Sequence, residues 1–377
     1  MYFLGIDGGG TKTCFTLINE NGKVINRVIK GTCHPAQIGF TNLEILLTEG
    51  LEEIIKSSNI SKEEITKSYL GLAGYGIVKE IAEGIAQVVS RVFSKMDYIL
   101  NNDVRVAIAG ALAGEDGINV VAGTGSIALA LKDEKVLRCG GWGYSIGDEA
   151  SAYWIGKKAL ALFSKQSDGR LEKAPLYEIF KKELGLKTDF EIVSYVNEKL
   201  KGDRGEIAKL AKLCSDAAKS GDEGAIAIFN EAAIELSQMI RTLAKNYDKN
   251  VVKVSYTGGV FKSGDLILKP LRENLKGCNI ELVEPQLDPD LGACLLAYIN
   301  SGNKITKEII IKMKEWEIQK NNLGNLNYRK KWRSYVNKKR NSSEFLFLFF
   351  KISRHLFLNS FTEISNIYLK WIFIFHY

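Results

Sequence analysis

The chain has 377 residues, too many for one small core and enough for two domains. Hydrophobic residues make up 46% and charged residues 25%, as is ordinary for a soluble globular protein. The net charge of +7 is unevenly placed: residues 318–377 hold 11 Lys or Arg against Glu344 and Glu363, which leaves 40 basic and 42 acidic side chains before them, so the charge implies no nucleic-acid partner for the body.

Cysteines stand at 14, 33, 139, 214, 278 and 294, with no CxxC or Cys/His ligand spacing. With no signal-like apolar segment before Gly5, a reducing, cytoplasmic compartment is expected, each Cys being a small buried apolar residue.

Residues 2–6 are a short apolar run that stops at Asp7 and three glycines, and residues 14–18 read as a second strand. Asn21 and Gly22 form a two-residue hairpin signal leading to a strand over 23–28. Thr41 and Glu44 make a capping-box pattern, followed at helical spacing by Leu43, Leu46, Leu47, Gly50, Leu51, Ile54 and Ile55. Ser61 and Glu64 offer a second, shorter cap. Residues 69–72 and 98–100 read as buried strands, the second ending at Asn101, Asn102 and Asp103 before a helix over 104–112. Strands alternating with helices predict an α/β layered domain.

The pattern then restarts. Residues 118–122 form a strand, followed by Gly123, Thr124, Gly125 and Ser126, then a hairpin over 127–138. This is a degenerate internal duplication about 115 residues along, with Ala122 standing where the first copy has Asp7. Residues 150–250 are helical and charged. A strand over 251–256 ends at Thr257, Gly258 and Gly259, and residues 290–298 read as a closing helix. The tail, 318–377, contains one Gly, no Ala and no Asp. Asn359, Glu363 and Lys370 interrupt its apolar stretch, so it does not read as a membrane span. Two readings stay open for it: a peripheral amphipathic element, or an appended translation of AT-rich sequence.

Glycines in the segment DGGGTKT let backbone N–H groups approach phosphate oxygens. Thr11 adds a hydroxyl, and Asp7 can hold Mg²⁺ through water. The segment lies between two strands of a hairpin, so it is neither a Walker A loop nor GxGxxG. Asp103, at the end of a strand, can take the proton of an attacking hydroxyl or start the following helix. Asp148 and Glu149 suit sugar hydroxyls or a helix cap near Ala150, and Trp142 suits a sugar face or a core position. Gly258 and Gly259 suit close packing on adenine or a plain turn.

In combination and in this order, GIDGGGTKT, GLAGYG, NND, AGTGS, GGWGYSIGDEASAYWIG and YTGGVF resemble the N-acetylglucosamine kinase branch of the BadF/BadG-type ATPases, within the actin–hexokinase–Hsp70 superfamily. The resemblance runs from about residue 2 to 300. It implies a two-lobed, actin-like and ribonuclease H-like α/β fold, with lobes over 1–113 and 114–317, a final helix near 290–300 packing back on the first lobe, and the tail outside.

ATP phosphates would then meet Gly8, Gly9, Gly10, Thr11, Lys12 and Thr124, adenosine would meet Gly258 and Gly259, and Mg²⁺ would sit by Asp7. Asp103 becomes the general base and a sugar ligand, with Gly125, Ser126, Gly141, Trp142, Gly143, Tyr144, Ser145 and Asp148 around the sugar. His34 stands where the family usually offers Asn, Ile127 where vertebrate relatives have Asn, and Ala73 where some carry Ser. A more apolar pocket would admit a bulkier sugar. The implied reaction is ATP-dependent phosphorylation of the 6-hydroxyl of N-acetylglucosamine or N-acetylmuramic acid by a homodimer, with no membrane partner for the body. Alternatives are a glucosamine kinase, an activator of a CoA-dehydratase, which would need cysteines for an iron–sulfur cluster, and a non-catalytic sugar sensor.

Overall fold

Strand β1 (Tyr2–Gly8) is buried along most of its length, as a strand flanked on both sides must be. It pairs antiparallel with β2 (Thr13–Asn19), which pairs with β3 (Val24–Lys30), and parallel with β4 (Ile65–Leu72), which pairs with β5 (Tyr98–Asn101). The computed structural model describes residues 1–316 apart from 77, 134, 249 and 250, so the basic tail 318–377, with both readings of it, lies outside the described residues. Helices α1 (Pro35–Ser58) and α2 (Lys79–Val92) cover the first sheet, and α3 (Asp103–Ala111) leads out of it.

The second sheet repeats the first. Its strands are β6 (Gly117–Ala122), β7 (Ser126–Lys132), β8 (Lys135–Gly140), β9 (Val252–Thr257) and β10 (Ile280–Val283). The orders are β3-β2-β1-β4-β5 and β10-β9-β6-β7-β8, so each sheet has an antiparallel hairpin of three strands extended by two parallel ones. This is the duplicated α/β unit expected from the sequence. Helices α4 (Ala152–Ser167), α5 (Pro175–Leu184), α6 (Glu191–Ser194), α7 (Arg204–Lys219) and α8 (Glu223–Ala244) separate β8 from β9. They bury Phe163, Phe180 and Phe229 against Val120 and Val254 of the second sheet. Helix α9 (Asp265–Asn274) joins β9 to β10, and α10 (Pro289–Ile299) follows. By its contacts the chain divides into a compact unit, Met1–Lys314, and Glu315–Tyr377.

Several local expectations change. The first hairpin closes on Asn19 and Lys23, with Gly22 at φ 76°, so its loop has three residues instead of two. Helix α1 begins at Pro35 with His34 as its N-cap and bends at Gly39 (φ 74°, ψ 165°). Glu44 does not reach back to Thr41, because Arg91 of α2 holds it at 2.6 Å. Ser61 and Glu64 do form a capping box, on a short 3-10 turn. Cys14, Cys33, Cys214 and Cys294 are buried, whereas Cys139, near the end of β8, and Cys278, in the bend before β10, are partly exposed.

Helix α10 closes the first sheet, although it follows the last strand of the second. It lies on β1 at Gly5, where a Cβ would fall 2.6 Å from the Asp290 carbonyl oxygen. It crosses α3 where Gly292 meets Gly110, and a Cβ on Gly292 would sit 2.7 Å from Gly110 Cα. No side chain fits between these backbones. Gly292→Ala is therefore expected to force α10 off α3 and to destabilise the protein by about 1–3 kcal/mol, read as a lowered midpoint in urea unfolding.

Candidate active site

Two groups of residues collect at the carboxyl ends of the central strands, one from each sheet. In the first, the turn between β1 and β2 is tied at its base by Gly9 N–H to the Lys12 carbonyl (2.9 Å), and Ala73 N–H donates to the Gly8 carbonyl (2.8 Å). Gly8 is required by space, since a Cβ would come 2.7 Å from Leu72 Cδ2. Gly10, Thr11 and Lys12 stand exposed at the tip.

Asp7 stands half-buried near the end of β1. Burial, then the neighbouring Asp290 and Asp103, push its carboxyl up to about 7, against the opposing pull of Lys12 and Arg27. Asp290 itself is buried, in an ion pair with Arg27 and a 2.5 Å hydrogen bond from Thr16 Oγ1. The place is thus crowded with acid. One carboxylate at a phosphate-sized loop suits Mg²⁺, which keeps most of its water and takes further oxygens from phosphate.

Asn102 is the N-cap of α3: its Oδ1 accepts from Val104 N–H (2.9 Å), while its Nδ2 donates to the Tyr75 carbonyl (2.6 Å). Asp103 is thus not the cap residue but the first residue of the helix, and its Oδ1 shares the Val104 N–H at 3.0 Å. Burial raises its pKa above the usual carboxylate range, opposed by hydrogen bonds from Val104 N–H and its own N–H and by the nearby His34. His34 Nδ1 accepts from Ala36 N–H (3.2 Å), which leaves the proton of the neutral ring on Nε2. That Nε2 lies beside Gly74, 3.7 Å from where a Cβ would stand.

The second group surrounds the turn between β6 and β7. Gly123 N–H donates to the Gly125 carbonyl, and Ala152 N–H, at the start of α4, donates to the Gly123 carbonyl, both at 2.8 Å. Thr124 is exposed at the tip, while Ser126 is buried and donates to the Glu149 carbonyl at 2.5 Å. Gly258 (φ 110°) presses on this turn from β9, where a Cβ would lie 2.5 Å from the Ala122 carbonyl carbon. Gly259 stands in open space.

Asp148 is 3% exposed and adopts a left-handed backbone (φ 56°). Its Oδ1 accepts from Gly143 N–H at 3.2 Å and its Oδ2 is ion-paired with Arg204 at 2.7 Å. It does not cap α4; Ser151 does, accepting from Trp154 N–H. Gly141 (φ 71°) folds over Ile127, while Trp142, Tyr144 and Ser145 are exposed. Trp142, 65% exposed with the Arg138 guanidinium 4.7 Å from its ring, is not a core residue. Val104, next to Asp103, and Ile127, next to Ser126, pack into one apolar cluster with Ile108 and Leu129, so α3 links the two groups.

The chain matches the model of the BadF/BadG/BcrA/BcrD ATPase family over residues 4–297. It belongs to that family. Among relatives of this ATPase, the N-acetyl-D-glucosamine kinase of Dictyostelium discoideum is 29% identical over 78% of this chain and 97% of its own length. The N-acetylmuramic acid/N-acetylglucosamine kinase of Clostridium acetobutylicum is 30% identical over 78% of this chain and 98% of its own. The crystal structure of a proposed N-acetylglucosamine kinase from Chromobacterium violaceum covers 78% of this chain and 98% of that one, with a TM-score of 0.59 and 27% identity. The two-lobed α/β fold is that of actin-like sugar kinases. No helix among the described residues is long and apolar enough to cross a membrane.

Three residues of the ATPase's two groups had escaped the sequence. Arg27 and Asp290 lie 263 residues apart and meet only because α10 returns to β3. The acid beside Pro289 at a helix start was the one visible hint of that pair. Arg204 reaches Asp148 from 56 residues away, with no local signal. Gly258→Ala would need both a left-handed backbone and room that the Ala122–Gly123 peptide occupies. It is expected to cost about 1–3 kcal/mol and to raise KM for the nucleotide several-fold, by chemical denaturation and ADP-release kinetics.

Proposed function

We propose that this ATPase transfers the γ-phosphoryl group of ATP to the 6-hydroxyl of an N-acetylhexosamine, N-acetylglucosamine or N-acetylmuramic acid, in amino-sugar and cell-wall salvage. The observation that carries the reading is Asp103, a half-buried carboxylate at the mouth of β5, with Asn102 as the cap before it, Asp7 of the first glycine turn close enough to feel its charge, and β7 of the second turn packed beside its helix. The kinases of Dictyostelium and Clostridium, which the chain spans almost end to end, support the sugar class.

In this reading Asp103 accepts the proton of the 6-hydroxyl while the sugar oxygen bonds the γ-phosphorus and the bond to the β-γ bridging oxygen breaks, releasing ADP. Gly8, Gly9, Gly10, Thr11, Lys12 and Thr124 cradle the phosphates, whose developing charge their N–H and hydroxyl groups stabilise. Mg²⁺ bound near Asp7 would neutralise phosphate charge. Gly258 and Gly259 pack against adenosine. Asp148, with a lone pair left on each oxygen, accepts from sugar hydroxyls, and His34 Nε2–H donates to the sugar from the other side. Gly125, Ser126, Gly141, Trp142, Gly143, Tyr144 and Ser145 line the sugar site. The kinase works as a homodimer in the cytoplasm.

Asp103→Asn keeps size and hydrogen bonding but cannot take a proton. In an ADP-release assay with N-acetylglucosamine, N-acetylmuramic acid, glucosamine and glucose, kcat should fall about 10²–10⁴-fold while calorimetric sugar affinity stays within a few-fold. Undiminished turnover would remove Asp103 from this role.

The base acts only when ionised and burial raises its pKa. The rate is therefore full at high pH and is lost as pH falls through that raised value, at a higher pH than for an exposed aspartate. A kcat/KM profile between pH 4 and 8 that stayed flat down to the ordinary Asp pKa of about 3.9 would contradict this.

A further inference from the structure

Arg204 is the one cation placed directly on Asp148 among the described residues. It opens α7, and its Nη2 lies over Gly125, where a Cβ would have to push the guanidinium aside. Its guanidinium carbon is 5.7 Å from the Tyr144 ring. One N–H group is spent on Asp148, while Nε is buried with no partner among the described residues. The side chain remains 39% exposed, against 5% for Asp148. A buried guanidinium donor without an acceptor is costly, and a planar fork with one arm engaged is shaped to receive a second carboxylate.

We propose that Arg204 reads a carboxylate carried by the sugar, and so sets the preference of the site for an acidic N-acetylhexosamine. This rests on the sugar-kinase reading above. N-acetylmuramic acid differs from N-acetylglucosamine by a lactyl ether that adds one carboxylate. Asp148, by itself, would repel that charge at the ring hydroxyls. Arg204 cancels the repulsion and offers its remaining N–H groups to the new acceptor. A neutral sugar calls on Arg204 only through the orientation of Asp148. A phosphate role fits less well, because the exposed loop tip is Thr124 and Arg204 sits on the Asp148 side of Gly125.

The test is a ratio, the kcat/KM for N-acetylmuramic acid divided by that for N-acetylglucosamine, so that a uniform loss from loosening Asp148 divides out. In Arg204→Gln the ratio should fall about tenfold or more, the size expected for a charge-assisted hydrogen bond, and Arg204→Lys should restore part of it. N-acetylmuramic acid with its carboxyl converted to the amide has the same bulk and no charge, and its ratio to N-acetylglucosamine should not respond to Arg204→Gln. A ratio that stays within about threefold in Arg204→Gln overturns the proposal, and equal losses on all sugars together with a raised KM for ATP assign Arg204 to the phosphates instead. Wild-type protein that phosphorylates N-acetylglucosamine but not N-acetylmuramic acid also overturns it while leaving the kinase reading intact. Wild-type protein that phosphorylates neither sugar refutes the kinase reading and this inference with it.

Discussion

Everything at the first loop depends on how closely α10 can approach β1 and α3. The separation is set by backbone against backbone at Gly5, Gly110 and Gly292, so one added methyl group has nowhere to go. That seat carries Asp290 under the first sheet, where Arg27 and Thr16 hold it. Asp290 in turn is the acid that raises the Asp7 pKa most, after burial itself. The electrostatics of a loop at residue 7 are thus written partly by a helix near the end of the fold, through packing and not through sequence neighbours. The same helix pair, α3 and α10, carries the chain between the two sheets, since α3 leaves the first and α10 follows the second.

The two copies of the strand–turn–strand unit have diverged in a consistent way. The first keeps an acid, a four-residue turn and an exposed basic tip. The second has Ala122 in place of the acid, a three-residue turn, and Gly258 pressed against it from the next strand. One copy has specialised in charge and the other in close packing. The buried acid of the second half is instead Asp148, on a glycine-rich loop after β8, where it adopts a left-handed backbone.

What was legible in the sequence was local. The glycine turns, the strand before Asp103 and the 115-residue repeat depend on residues next to one another, and the described elements agree with them. Sequence reading failed where a distant partner intervened. Glu44 fits a capping box with Thr41 until Arg91 of α2 claims it. Asp148 fits a helix cap until Arg204 and Gly143 take both its oxygens. Trp142 fits a core until the loop carrying it turns outward at Gly141 and Gly143, both at positive φ. Period and propensity contain no information about such partners. A site built at the ends of many elements is therefore less readable than the elements themselves.

Because α10 finishes a sheet that begins at Tyr2, the order of synthesis does not match the order of assembly. Thr16 and Asp290 are 274 residues apart, and the Gly5 groove of β1 has no cover until the chain has been made nearly to Ile299. A nascent chain leaving the ribosome carries this first half unfinished through the making of the second, with an apolar strand face and an unpaired Arg27 exposed to other surfaces. Contacts of such long range also close slowly once the chain is complete. The N-terminal half should therefore be the last part of this protein to become resistant to protease during translation, although it is the first part to be made.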